Sequence, residues 1–304
     1  MGDVVIFFVH PNREFGRRSG EGYMTETFDI ERYLDNSRKV ELRDLALHRA
    51  TDFPISADEV RCLTYMMDIE SHTMLYLKGL LRTCAVHDPE VMAFLHCWVY
   101  EEFFHGRALQ QFLQSADVEI RTSRVKDVHH ERTWRESIEE FGAATLCRFL
   151  GDFAAVYLVW GAVQELSTIE GYGILARRTH NPILRDLLQR LIKDERRHFS
   201  FYFNKARPLL NSVTAQRLTA WTLRRFWTPV GQGVKTSAET QWTMKYVFEG
   251  SEGLLAAERI DSMIARLPGL AELRLLSTMR ARSLRESQEQ LWYYLPTHEH
   301  RRSS

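Results

Sequence analysis

The chain has 304 residues, and its 40 basic and 40 acidic side chains give a formal net charge of zero. A chain of this length buries a sizeable core without disulfides or structural zinc, and 44% hydrophobic residues exclude the composition of a disordered protein. Zero net charge disfavours adhesion to nucleic acid or to a membrane surface through bulk positive charge, and we expect no nucleic-acid partner.

Long stretches of helical periodicity separated by sparse Gly and Pro predict an all-α protein. Residues 1–28 are predicted to be an irregular segment, residues 29–294 a single domain and residues 295–304 a flexible tail. Within the domain, helices are predicted over 29–50, 57–83, 89–114, 133–179, 182–207, 213–226, 237–266 and 270–294.

Local signals support several of these helix starts. Ser56 with Glu59 three residues later is a capping-box pattern. The pairs Asp88–Pro89 and Asn181–Pro182 place a capping side chain before a proline at the first helical position. Residues 115–131 are polar and are predicted to be the longest loop.

Cysteine usage and hydropathy bear on the compartment. The four cysteines lie in apolar stretches and form no C-x-x-C pair, which indicates reduced thiols in a cytoplasmic protein. No apolar run reaches the roughly 18 residues of a membrane span. We therefore expect a cytoplasmic protein with no membrane span.

Four predicted helices carry a charge in the middle of the face that should be apolar. Residues three or four apart share a helix face, and this spacing places six such residues among apolar neighbours: Glu70, Glu102, His105, Glu165, Glu195 and His198. A buried ionised carboxylate is costly unless it is paired or bound to a metal, so four of them require a common explanation.

The pattern of the six residues suggests that explanation. Two helices contribute a lone Glu and two contribute Glu-x-x-His, which is the ligand set of the ferritin-like dinuclear iron or manganese proteins. The sequence therefore predicts a ferritin-like four-helix bundle, about residues 57–207, with additional flanking helices and two metal ions. The alternative is that scattered arginines and histidines satisfy four buried glutamates without a metal.

Three short segments resemble motifs of the soluble acyl-carrier-protein desaturases. Glu101–Gly106 resembles their EExxHG motif, Asp194–His198 resembles their DExRH motif, and Gln164–Thr168 resembles their QExxT segment. The resemblance spans the predicted four-helix core and implies that the six residues are iron ligands. It also implies that Thr168 is a hydroxyl on the oxygen-binding side, and that Asp194 is the partner of a ligand histidine on the electron-transfer route.

The resemblance implies an O2-dependent non-haem diiron oxidoreductase, desaturase- or hydroxylase-like, acting on an apolar acyl chain tethered to a carrier protein. Hard oxygen ligands with two imidazoles suit two Fe ions, with Mn as the other candidate. An external donor, ferredoxin or a flavoprotein reductase, is expected because the chain has no Gly-rich nucleotide fingerprint. A homodimer is also implied.

An acidic acyl carrier protein needs a basic landing surface on this neutral chain. The arginines that could form this surface are Arg177, Arg178, Arg185, Arg190, Arg196, Arg197, Arg217, Arg224 and Arg225. The alternative is that these arginines lie on ordinary solvent-exposed helix faces and bind no partner.

Other classes remain open. Phe103 and Phe104 replace the polar and basic residues that are usual inside the EExxHG motif. This difference leaves open a diiron oxygenase of secondary metabolism, such as an N-oxygenase or hydroxylase of a small molecule. A radical subunit like that of ribonucleotide reductase is disfavoured, because it would carry a tyrosine where this chain has Leu109. A non-catalytic ferritin-like metal-binding protein is the remaining alternative.

Overall fold

The structure is a computed structural model that describes residues 28–283 apart from 76, 78–80, 82–83, 121–152 and 233. These residues are mostly helical and form no β-strand, which confirms the predicted all-α class. Within them, no helix combines the length and apolar character needed to cross a membrane. The main helices are α1 (Ile30–Asn36), α2 (Ala57–Ser71), α3 (Pro89–Ser115), α4 (Phe153–Arg178), α5 (Pro182–Leu209), α6 (Val213–Phe226), α7 (Ser237–Phe248) and α8 (Gly250–Ile264).

The helix starts follow local capping, as predicted. The Ser56 hydroxyl accepts from the Glu59 backbone N–H at 3.1 Å, and the Glu59 carboxylate accepts from the Ser56 N–H at 2.8 Å. The Asp88 carboxylate accepts from two backbone N–H groups at the start of α3. Asn181 does the same for α5. α6 has the predicted bounds.

The prediction of one helix over 29–50 is wrong. α1 ends at Asn36, and a 3-10 helix, Leu47–Asp52, follows after an irregular stretch. The backbone N–H of Arg38 donates to the Glu101 carboxylate at 3.2 Å instead of continuing the helix. A contact with a distant helix therefore ends α1.

α2 is shorter than predicted: it ends at Ser71, whereas the prediction placed its end near residue 83. The hydroxyl of Ser71 donates to the Met67 carbonyl at 2.7 Å, and that of Thr73 donates to the Glu70 carbonyl at 3.0 Å. Side chains that bond local carbonyls compete with the helical ladder.

The next three predicted segments agree within two residues where the structure describes them. α3 ends one residue after the predicted boundary, and α5 continues past the predicted stop at Pro208 to Leu209. The predicted loop beyond residue 120 and the first part of the predicted helix 133–179 lie outside the described residues. So do the N-terminal segment up to residue 27 and the C-terminal tail.

The predicted helix 237–266 is two helices, α7 and α8. Gly250 has φ +73°, a left-handed conformation that favours glycine, and the backbone of Glu249 is extended. Arg178 donates to the Tyr246 carbonyl at 2.8 Å, and Arg280 donates to the Phe248 carbonyl at 3.1 Å. These arginines satisfy carbonyls that a continuous helix would have used.

The last predicted helix begins at residue 276 rather than 270. The buried Asp261 carboxylate accepts from the backbone N–H groups of Leu275, Leu276 and Ser277, each at 3.0 Å. A side chain fourteen or more residues away thus caps this helix, and no local signal marks its start.

The helices pack around one hydrophobic cluster that extends from Tyr33 to Leu276. α4 packs along α5, α2 packs along α3, and α3 also meets α5. α6 and α8 lie against α4, while α7 contacts both α2 and α4. The four helices α2, α3, α4 and α5 each bury one or two of the six predicted ligands.

Candidate metal centre

The structure brings all six predicted ligands together in the interior. α2 supplies one glutamate, α3 a glutamate and a histidine, α4 one glutamate, and α5 a glutamate and a histidine. Each of them is buried: Glu70, Glu102, His105, Glu165, Glu195 and His198.

These residues form two overlapping groups of four. The ligand atoms of Glu70, Glu102, His105 and Glu195 lie within 4.8 Å of one another, and so do those of Glu102, Glu165, Glu195 and His198. Glu102 and Glu195 belong to both groups. Each group therefore offers three carboxylates and one imidazole, which is an oxygen-rich donor set that suits iron or manganese.

Both histidines direct Nδ1 into the cluster. His105 Nδ1 lies 3.1 Å from Glu195 Oε1. His198 Nδ1 lies 3.1 Å from both Glu102 Oε1 and Glu195 Oε2, and 3.7 Å from Glu165 Oε2. The two shared carboxylates thus lie close to both rings, whose centroids are 5.8 Å apart.

The Nε2 atoms face acidic residues behind the cluster. His105 Nε2 lies 3.4 Å from Asp194 Oδ2, so Asp194 contacts one of the two histidines of the cluster. His198 Nε2 lies 2.8 Å from Glu101 Oε2. Arg197 Nη2 donates to both acids, at 2.8 Å each. One guanidinium therefore joins the two histidine supports.

The sequence prediction missed Glu101. A signal for it was present, because an acid directly precedes the glutamate in both Glu-x-x-His segments. Asp194 on α5 supports the histidine of α3, and Glu101 on α3 supports the histidine of α5. Tyr33 from α1 also donates to Glu101 at 2.8 Å, a contact that no local pattern indicates.

Buried aromatic side chains hold the two lone glutamates. Trp98 Nε1 donates to Glu165 Oε1 at 3.0 Å. The hydroxyl of Tyr172 donates to Glu70 Oε1. Neither Trp98 as a donor nor Tyr172 was predicted, because each reads as an ordinary core aromatic at helical spacing.

Thr168 lies beside the six-residue cluster rather than in it. It lines a small cavity of about 30 Å³ together with Glu70 and Tyr172, and apolar side chains of α2 and α7 form much of the remaining wall. Thr168 therefore borders a space that reaches one of the lone glutamates.

A larger cleft opens next to this cavity. Its volume is about 540 Å³, and residues from α6, α7 and the segment 272–283 line it. Met244 and Phe248 belong to the lining of both the cleft and the small cavity. Two side chains of α7 thus separate the cleft from the space at Glu70.

Burial raises the pKa of Glu70, Glu102 and Glu165, and the charge of neighbouring carboxylates raises each further. For Glu195, burial would also raise the pKa, but the adjacent imidazoles of His105 and His198 outweigh it and lower the pKa. Without a cation, each of the other three carboxylates holds a proton more readily than a free carboxyl group does.

The pKa of each histidine is raised, although burial alone would lower it. Burial alone would lower the pKa of His105, but the hydrogen bond to Asp194 and the carboxylates raise it. For His198, burial would also lower the pKa. The neighbouring Tyr33 and the hydrogen bonds to Glu101 and to carboxylates of the cluster raise it instead. For Glu101, burial is outweighed by His198 and Arg197, which lower its pKa to about 2.

Two buried atoms show that protons and internal hydrogen bonds do not satisfy the cluster completely. His105 Nδ1 and Glu195 Oε1 have no hydrogen-bond partner within the described part of the chain. Both point into the shared centre and lie 3.1 Å apart. A cation between them would satisfy both, so the donor set fits a metal.

Phe103, one of the two departures from the desaturase-like motif, lies on the surface side of α3. It is 49% exposed, and its ring packs against that of Phe104 at 5.4 Å between centroids. The ring of Phe103 therefore does not line the cluster.

Several arginines of the predicted carrier-binding surface are already engaged. Arg190 binds Asp44 and Asp186, and Arg177 binds Glu252. Arg197 is committed to the two acids behind the histidines. Ion pairs within the chain thus engage these three of the nine arginines that were candidates for binding an acidic partner.

Comparison with known protein families finds no matching family model, and comparison with curated proteins finds no match.

Proposed function

We propose that this protein is an O2-dependent non-haem diiron oxidoreductase, desaturase- or hydroxylase-like, with a ferritin-like four-helix core. The observation that carries the proposal is the pair of overlapping four-residue groups that share Glu102 and Glu195. Within the described residues the charged partners of the four carboxylates are the two histidines. Pairing with these histidines leaves His105 Nδ1 and Glu195 Oε1 without a hydrogen-bond partner there, which favours a metal over charge pairing alone.

The ligands divide naturally between two cations. Glu70 and His105 would hold one ion, Glu165 and His198 would hold the other, and the shared carboxylates would bind both. When bound, two ferrous ions supply electrons for the reduction of O2.

The surrounding residues keep the ligands oriented. Asp194 and Glu101 each accept from the outward nitrogen of a histidine and so favour an unprotonated Nδ1 directed at the centre. Arg197 donates to both acids and holds them close together.

The proposed substrate is an apolar acyl chain. Apolar residues of α2 and α7 line the cavity at Glu70, which suits a C–H bond rather than a charged group. The cleft beyond Met244 and Phe248 would admit the chain once these two side chains moved aside. Thr168 borders this cavity and would bind a polar reactant there.

The proposed partners follow from this chemistry. A carrier protein would bind at the mouth of the cleft, whose lining includes Arg224, Lys245 and Arg274. An external donor, ferredoxin or a flavoprotein reductase, would supply electrons for each turnover. A homodimer is also part of the proposal, by the resemblance to the desaturases.

Metal analysis and Mössbauer spectroscopy of protein expressed with ample iron test the proposal. We expect two iron ions per chain with the spectrum of a coupled pair. Glu102→Ala and His198→Ala should abolish that signal, whereas Glu258→Ala, at an exposed position on α8, should retain it. Only traces of iron and manganese in the wild-type protein would contradict the proposal.

The substrate class requires a second experiment. Iron-loaded protein would be incubated with O2, a reducing system and a panel of acyl carrier substrates, and the products would be examined by mass spectrometry. An alkene or alcohol product supports the acyl proposal. Oxidation of aromatic amines with no acyl turnover would favour the oxygenase of secondary metabolism instead.

A further inference from the structure

We propose that Tyr172 is a redox-active residue of this centre, which gives up one electron and its phenolic proton when O2 is reduced without an organic substrate. The inference rests on the proposed function, because O2 is the oxidant. The centre would then carry out one-electron oxidation of Tyr172 in addition to two-electron oxidation of a substrate.

The position of Tyr172 carries the inference. Its side chain is 0% exposed, and its hydroxyl donates to Glu70 Oε1. It lies on α4 seven residues after Glu165, which is two helical turns and therefore the same helix face. A phenol is thus in direct contact with a carboxylate of the cluster.

The hydrogen bond provides a route for the proton. A phenol that lost only an electron would leave a positive charge in a low-dielectric interior, at high cost. The Glu70 carboxylate can take the phenolic proton as the electron leaves, so a neutral tyrosyl radical forms with no unpaired charge on the ring. Burial then keeps water and external reductants away from the radical.

The electron balance requires one further donor. O2 takes up four electrons and four protons on becoming two molecules of water. The two ferrous ions would supply one electron each, Tyr172 a third, and an external reductant such as ascorbate the fourth. The O–H bond of Tyr172 breaks, and no other bond of the side chain changes.

Other aromatic side chains near the centre provide comparisons. Tyr33 donates to Glu101 rather than to one of the six ligands. Tyr202 is buried at a ring distance of 5.8 Å from Trp98, and Trp98 donates to Glu165. Tyr202 is therefore a matched control for a buried phenol in the same bundle, and Trp98 is the competing site of oxidation.

The experiment combines rapid mixing with electron paramagnetic resonance. Metal-free protein would be loaded anaerobically with ferrous iron, checked by Mössbauer spectroscopy, mixed with O2 and ascorbate, and frozen at intervals. We expect a transient tyrosyl radical signal whose hyperfine pattern changes when the protein contains ring-deuterated tyrosine. The signal should be lost in Tyr172→Phe and retained in Tyr202→Phe.

The outcomes separate the two proposals. If no diiron spectrum appears in the loaded wild-type protein, the proposed function fails. If the centre forms and consumes O2 but gives no radical, gives a tryptophan radical, or gives a tyrosyl radical that survives in Tyr172→Phe, the inference about Tyr172 is wrong. Should Tyr172→Phe fail to load iron, the signals of Tyr33→Phe and Tyr202→Phe decide the assignment, because loss in either one would overturn it.

Discussion

Single residues behind the cluster determine how the histidines are oriented. The acid before each Glu-x-x-His segment supports the histidine of the opposite helix, so Glu101 serves His198 and Asp194 serves His105. The arrangement couples α3 to α5 twice through short polar contacts. Metal affinity should therefore depend on residues that do not touch the metal.

Glu101→Gln tests this dependence. The amide keeps the volume but loses the charge, so it holds His198 less firmly and makes its nitrogen a weaker ligand. We expect the affinity for ferrous iron to fall by about 10- to 100-fold, measured by competition with a chelator. Glu258→Gln on the exposed side of α8 is the control. Equal affinities of Glu101→Gln and the wild type would show that this support is dispensable.

At this scale, the residues that the sequence alone singles out are those where burial and charge conflict. Glu70 and Glu165 stand out because a charge at a core position of a helix demands a partner. Trp98 and Tyr172 do not stand out, since an aromatic at a core position conflicts with nothing. Their roles at Glu165 and Glu70 depend on which neighbouring helix faces them.

At the scale of helices, Gly106 sets the distance between α3 and α2. A Cβ placed there would lie 2.9 Å from the Ser71 backbone nitrogen and 3.2 Å from the Met67 carbonyl oxygen. Backbone atoms of α2 cannot rotate away as a side chain can. The glycine lies one residue after His105, so the close approach also positions this ligand relative to α2.

Gly106→Ala should lower the free energy of unfolding by about 1–3 kcal/mol, because the helices must separate. Gly171→Ala is the matched control, since its Cβ would meet only Val247 and Met66 side chains at 3.6 and 3.7 Å. That change should be neutral or stabilising by up to ~1 kcal/mol, as alanine is the better helix former. Urea denaturation of the metal-free proteins measures both. Equal effects would contradict the close-approach argument.

Helix starts were more predictable than helix ends. Ser56, Asp88 and Asn181 cap their helices through bonds to residues two or three positions away, and so the signal is local. The ends at Asn36 and Phe248 depend on groups from distant parts of the chain, including Glu101 and Arg280. No window of sequence contains both partners of such a contact.

For the molecule as a whole, the buried cluster should make the stability of the metal-free protein fall as pH rises. Unfolded glutamates release protons near pH 4.5, whereas burial raises the folded pKa of Glu70, Glu102 and Glu165. Above pH 4.5 the folded state therefore retains protons that the unfolded state has lost, and stability falls with pH. The raised pKa of His105 and His198 acts in the same direction above pH 6.5.

The opposing groups do not cancel this trend near neutral pH. Glu101 and Glu195 have lowered pKa values, so their contribution is present above pH 4.5 and is lost only on acidification. Between about pH 5.5 and 8 their effect is constant. Metal ions bind the deprotonated ligands, so the stabilisation by metal should grow over the same range.

Calorimetry of metal-free and iron-loaded protein at pH 5.5 and pH 8 tests this expectation. The Tm of the metal-free protein should be lower at pH 8 than at pH 5.5 by at least ~3 °C. This corresponds to a loss on the order of 1 kcal/mol in the free energy of unfolding. The gap between the loaded and metal-free proteins should widen. Glu70→Gln removes one titrating group and should reduce the fall in Tm of the metal-free protein. A metal-free Tm that rises between these two pH values would contradict the account.

The sequence by itself determined the all-α class, the main helix starts and the six residues of the cluster. These follow from periodicity, local capping and the cost of burying a charge, which are properties of residues close together along the chain. The tertiary structure alone decided that Glu102 and Glu195 are shared, that Glu101 supports the histidine of another helix, and that Tyr172 bonds Glu70. The physical reason is that these relations arise between helices, where packing sets which side chains meet.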